Sequence, residues 1–312
     1  MKNTIVDITN NSSSPELARL ADSDDWRVRR SVAESLSALA KVLAKLATDE
    51  NSDACWTMAE NLSALAEVLV ALAMNEDSDV RRSVAGNSNT PVEALARLAT
   101  DEDSDVRCAV AENPNASAEV LAKLSMDDDW LVRYAVAENP STPAELLAEL
   151  AINEDWYVRR NVAVNTSAPV ETLNKLATDE DWYVRRNVAG NTSAPARVLM
   201  SLAEDENWGV REAVAGNPSA QCDALSKLAA DEEWTVRRAV AGNPNISPET
   251  LTKISRDRSK NVRLTVASNK NSPVEVLEKL ANDKSKDVRD AVKSNISTPE
   301  HIKVFLALEP AT

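Results

Sequence analysis

Apolar and polar positions recur along this chain with a fixed step of 26 residues. The clearest marker is a Val-Arg pair. With its valine as position 0, the marker falls at Val28 and then at every step from Val80 to Val288, and Ala54 fills the one gap. Position +4 is valine except at Met58, +5 is alanine except at Lys293, and +7 is asparagine except at Ser35. Position +15 is leucine from Leu43 to Leu277, and +18 is leucine or isoleucine throughout. No insertion separates the markers, so the chain holds eleven units in phase. A period of this length signals stacked supersecondary units.

Each unit reads as two short helices. The first follows an acidic cluster such as Asp179-Glu180-Asp181, which suits the positive end of a helix dipole. It carries its valines one turn apart and stops at Gly190-Asn191, where a left-handed terminus is expected. The second opens at Thr90-Pro91-Val92-Glu93, Thr142-Pro143-Ala144-Glu145 or Ser272-Pro273-Val274-Glu275. These read as capping boxes with proline at the first helical position. Neither helix exceeds about three turns, too short to be stable alone, so stacking of neighbours must bury both apolar stripes.

The unit Asp-x-x-Trp-x-Val-Arg-x-x-Val-Ala-x-Asn-Pro-x-x-Pro-x-Glu-x-Leu-x-x-Leu-Ala resembles the leucine-rich repeat variant, a relative of HEAT-like solenoids. The resemblance covers essentially the whole chain. It implies an all-α, right-handed α-solenoid of about eleven 26-residue repeats, the second helix partly 3₁₀, serving as a scaffold without an activity of its own. Some members of that family carry an iron–sulfur cluster on an N-terminal cysteine-rich segment. This chain has no cysteine before Cys55, and that feature is not carried over.

The expected layout is one repeat domain over 1–312. It comprises a half-repeat cap at 1–22, two Leu-rich repeats at 23–74, regular repeats at 75–282, and the last repeat with a C-terminal cap at 283–312. In the Leu-rich pair, Leu36, Leu39, Leu62 and Leu65 continue the stripes of Leu43–Leu46 and Leu69–Leu72. They are expected to lengthen the second helix by about a turn and to be buried. A self-association or docking surface is the alternative there.

Composition narrows the function. Fifty acidic and 35 basic side chains give a net charge of −15. Residues 1–124 and 125–240 each carry −9, whereas 241–312 carry +3. A phosphate backbone meets repulsion over most of that length, so nucleic-acid binding is the runner-up to protein binding. No apolar run is long enough to span a bilayer, and the start lacks the basic and apolar segments of a secretory signal. Three scattered cysteines fit a reducing, cytoplasmic setting better than a disulfide framework. One histidine, His301, and no zinc or triad spacing leave no catalytic residue and no metal or cofactor site to name. The acidic clusters lack the glycine and bidentate glutamate of a calcium loop and read as helix caps.

Two columns remain. Arginine at +1, from Arg29 to Arg289, is expected to pair with an acid or carbonyl of the next repeat. Tryptophan at −2 occupies Trp26, Trp130, Trp156, Trp182, Trp208 and Trp234. On a helical wheel −2 lies about 160° from the buried valine. Arg160, Arg186 and Arg238 follow their tryptophans by four residues, within stacking reach. Other units place Ser78, Ser104, Lys260 and Lys286 at −2, so the repeat does not require tryptophan there. The column is therefore a binding ridge for an extended peptide or helix, centred on Trp130, Trp156, Trp182, Trp208, Trp234, Arg160, Arg186 and Arg238, or else a structural ladder between repeats.

Overall fold

The buried stripes of successive units lock together in the computed structural model, which describes residues 14–34, 42, 45–47, 49, 51–61 and 65–308. Twenty-two helices and no strand occur among the described residues. The chain divides into two compact units, residues 1–150 and 151–312, each built from the same repeat.

Within a repeat the first helix runs nine residues from position −2, as in Trp182–Gly190, and the second runs seven, as in Ala196–Leu202. The second helix is a full α-helix and not 3₁₀. First helices pack directly on the first helices of neighbouring repeats, whereas second helices meet one another sparsely and rest on the first helices. Between the layers lie the repeated aliphatics, such as Val184, Val188, Ala189, Leu199 and Leu202, all buried.

The first helix starts where the sequence places it. Asp181, in extended conformation, accepts the Tyr183 N–H at 2.7 Å, and Asp77, Asp103 and Asp129 cap in the same way. Its end differs from expectation. No described residue has a positive φ, and Asn191 leaves the helix extended at φ −70°, ψ 123°. The asparagine side chain replaces a left-handed turn. Asn217 Nδ2 donates to the Ala189 carbonyl at 2.7 Å and the Asn191 carbonyl at 2.9 Å, both in the preceding repeat, while its Oδ1 accepts the Ser219 N–H at 2.7 Å. Buried carbonyls at a helix end must find donors, and this amide supplies them from the next repeat along.

The capping boxes also differ. Pro91 and Pro273 are themselves the N-cap residues, with no side-chain cap. The preceding hydroxyls are thereby one position too early to cap, and they are buried. Thr90, Thr142 and Ser272 instead donate to the carbonyls of Val84, Val136 and Val266 at 2.5, 2.5 and 2.6 Å, tying the second helix to the first. Where proline sits one residue later, at Pro248, it takes the first helical position and Ser247 caps as a box would.

In the Leu-rich pair, Leu65 is 39% exposed and is the extended N-cap of Ala66–Leu72, so the stripe gains no extra turn there. It occupies the register of Pro91, a position that is half-buried or exposed in the described repeats and core in none of them. Leu46, Leu69 and Leu72 are buried as expected. Leu36, Leu39, Leu43 and Leu62 lie outside the described residues.

Candidate functional site

The arginine column is structural. Arg185 grips Asp205 of the next repeat with two parallel bonds, Nε to Oδ2 at 2.6 Å and Nη2 to Oδ1 at 3.0 Å, and gives Nη1 to the Asp179 carbonyl at 2.8 Å. Eight such pairs occur among the described residues, from Arg29–Asp49 to Arg263–Asp283. Arg159 and Arg185 are thus spent on Asp179 and Asp205 and do not present forks to a partner. The arginine hydrogen bond holds the carboxyls of Asp49 and Asp283 below their ordinary pKa. At Asp101, Asp127, Asp231 and Asp257 burial pushes upward, but the arginine bond, a backbone N–H and the arginine charge together outweigh it and the pKa falls.

The tryptophans sit at the first position of their helices, pointing away from the core. In the unit of residues 1–150, Trp130 is 38% exposed and meets Tyr134 edge to face. In the unit of residues 151–312, Trp208 is 49% and Trp234 36% exposed, while Trp156 and Trp182 are half-buried. Rings explain the difference. Tyr157, Trp156, Tyr183 and Trp182 form a continuous stack, with centroid separations of 3.8, 5.6 and 3.7 Å. Beyond it, Gly209 stands where the preceding two repeats carry tyrosine. A Cβ there would lie 3.3 Å from the Trp182 ring, so glycine leaves room for the indole against the next repeat. Arg238 lies over the Trp234 ring at 5.3 Å, the expected cation–π contact, and its Nη2 stands 3.8 Å from Glu212. At Trp156 and Trp182 the ring partners are tyrosines.

The wheel did not anticipate Tyr157 and Tyr183 as members of the row. Their position, −1, points sideways on their own helix; each ring stacks on the tryptophan just before it, and Tyr183 also meets Trp156 of the preceding repeat. Nor did it single out the acids at −4. Glu180, Glu206 and Glu232 stand 91, 91 and 85% exposed beside the tryptophan-bearing helix starts, one per repeat. The chemistry of this face is that of a wide, ridged, acid-flanked aromatic surface. No described helix is long and apolar enough to cross a membrane.

Comparison with known proteins defines the class of molecule. The leucine rich repeat variant family matches at residues 79–103, 105–129, 234–259 and 261–285, and the HEAT repeat at 14–43. A solved leucine-rich repeat variant, described as having a novel repetitive structural motif, is 30% identical over 71% of this chain and 87% of its own, with a TM-score of 0.53. The protein belongs to the leucine-rich repeat variant family. Importin beta is similar at 12% identity over 90% of this chain with a TM-score of 0.37, and the chain spans 44% of its length. An engineered protein is 19% identical over 96% of this chain and 93% of its own, with a TM-score of 0.32. No curated protein matches.

Proposed function

We propose that this protein is a non-enzymatic scaffold that binds an extended peptide or a helix of another protein along the aromatic face of residues 156–238. The observation that carries the reading is that the fold is indifferent to the residue at −2. The helices Ser78–Gly86 and Lys260–Ser268 have the same nine-residue span as Trp208–Gly216 and keep the same arginine–aspartate pair, with serine or lysine in place of tryptophan. Large aromatics exposed where a small or charged residue serves equally well mark a surface that contacts something else.

The stack assigns the aromatics two duties. Trp156 is clamped between Tyr157 and Tyr183, Trp182 is stacked on Tyr183, and both stiffen the surface. Trp208 and Trp234 stand open and supply contact area at low conformational cost. The stacking also disfavours a nucleic-acid platform. Base stacking needs ring faces, and the faces of Trp156 and Tyr183 are covered by each other and by Tyr157 and Trp182.

Peptides selected from a random library on the intact protein, then measured against the Trp208→Ala/Trp234→Ala variant, test this. Binding should weaken at least about 30-fold, the effect of ~2 kcal/mol lost across the two positions together, with an unchanged melting temperature. Full retention of binding by the variant would overturn the assignment of this face.

A further inference from the structure

The loops joining one repeat to the next enclose a shallow groove, and two of these grooves, four repeats apart, are lined by equivalent positions with opposite charge. The earlier one presents Ile152, Glu154 and Glu180 beside the Arg159–Asp179 pair, in a hollow of about 470 Å³. The later one presents Arg256, Arg258 and Lys284 at the same three places beside the Arg263–Asp283 pair, in about 740 Å³. Lys175 and Lys279 correspond as well. The backbone frame is shared, and these three replacements reverse the sign even though Asp257 takes the place of Asn153.

The acids of the later groove do not cancel its cations. Asp257 is held by Arg237 and Asp283 by Arg263, each through two bonds. Arg256, Arg258, Lys279 and Lys284 stand exposed around the mouth. Arg258 is also pre-oriented, because its Nη2 donates to the Glu232 carbonyl at 3.1 Å. Four cations converging on one hollow repel one another, and an anion relieves that cost.

We infer that the groove between residues 255–258 and 279–284 binds a short acidic stretch of a partner protein. Its extent favours peptide over nucleic acid. Two adjacent loops lie about 10 Å apart, the spacing of packed helices, so the basic zone accommodates roughly three extended residues. One and two repeats back from Arg258, the exposed Glu232 and Glu206 occupy the same register. A continuous phosphate backbone would run onto those carboxylates, whereas a peptide can carry its charge on a few residues and continue neutral or basic. The site stands on other residues than the aromatic row, so the two proposals fail separately.

Fluorescence anisotropy with the full chain and a fluorescein-labelled hexaglutamate peptide tests it, with hexalysine and hexathymidylate as comparison probes. Hexaglutamate should bind at low salt at least tenfold more tightly than either. Arg258→Glu with Lys284→Glu should abolish that preference, with Arg258→Gln and Lys284→Gln as the milder pair if charge reversal lowers the melting temperature. Trp208→Ala/Trp234→Ala should leave it unchanged. Ile152→Arg with Glu154→Arg and Glu180→Lys should add a second hexaglutamate site. Equal or tighter binding of hexathymidylate, no preference for hexaglutamate, or a preference that survives both variant pairs would overturn the inference.

Discussion

Cys55 and Asn75 stand twenty residues apart, and together they replace the arginine and aspartate that clasp each other between other repeats. Cys55 is buried, and its thiol pKa is raised, by burial first and then by the charge of Asp49. Asn75 offers that thiol a neutral side-chain partner. The pair is deleted as a pair. A lone aspartate at 75 would leave a carboxylate without its guanidinium, costlier than two neutral groups.

Breaking one intact clasp should show that cost. Arg185→Ala leaves Asp205, a largely buried carboxylate, without its bidentate partner. A loss of about 3 kcal/mol in chemical denaturation is expected. Glu206→Ala, at a carboxylate that is 91% exposed, should change stability by less than about half a kcal/mol. Equal effects of the two variants would refute the structural role of the inner pair.

The asparagine ladder should tolerate no isostere. Asn217→Ala strips donors from two buried carbonyls and should cost about 1–3 kcal/mol. Asn217→Asp keeps the shape but turns a donor into an acceptor facing those carbonyls, and should cost at least as much. A neutral Asp variant in thermal unfolding would contradict the ladder.

Leu65→Ala and Leu69→Ala separate outward and inward positions four residues apart. Leu69 is fully buried, and its truncation should cost about 2–5 kcal/mol. Leu65 is more than a third exposed, and its truncation should cost less than about 1 kcal/mol. Reversal of that order would restore the longer stripe read from the leucine spacing.

Acid should loosen the fold through the clasps. The carboxyls of Asp49, Asp101, Asp127, Asp231, Asp257 and Asp283 have native pKa values below the ordinary value of about 4. As pH falls, the unfolded chain takes up protons first. The stability they confer is therefore complete above about pH 4 and is lost as pH drops through the depressed native values. The urea midpoint should hold between about pH 6 and 5 and fall steeply below 4. A midpoint constant down to about pH 2 would rule this out.

Much of this architecture is legible in the sequence because each structural position is stated about ten times. The Val184–Val188 and Leu199–Leu202 stripes follow from period and spacing alone, and the partnership of Arg185 with an acid or carbonyl of the next repeat from the resemblance to HEAT-like stacks. What escapes is set by contacts between repeats. A wheel drawn for one helix places Trp182 outward but cannot show that its ring lies against Gly209. It cannot show that Tyr183 slots between Trp156 and Trp182. The Thr90 hydroxyl is misread for a reason inside one repeat: Pro91 takes the cap position, and Thr90, one place earlier, bonds the preceding helix. The basic groove is invisible until Arg258 and Lys284, one period apart, are seen to share a hollow.

The clasp and the ladder both count residues. Each arginine reaches twenty residues forward, as from Arg185 to Asp205, and each asparagine reaches 26 and 28 residues back, as from Asn217 to Asn191 and Ala189. Excising residues 183–208 would join Trp182 to Gly209 and let the same bonds re-form between new neighbours. Removing one residue fewer would leave both sets of partners out of step. Chain length is therefore quantised: the molecule can be lengthened or shortened by whole repeats through duplication or loss, and any docking row it carries can be resized in the same increments.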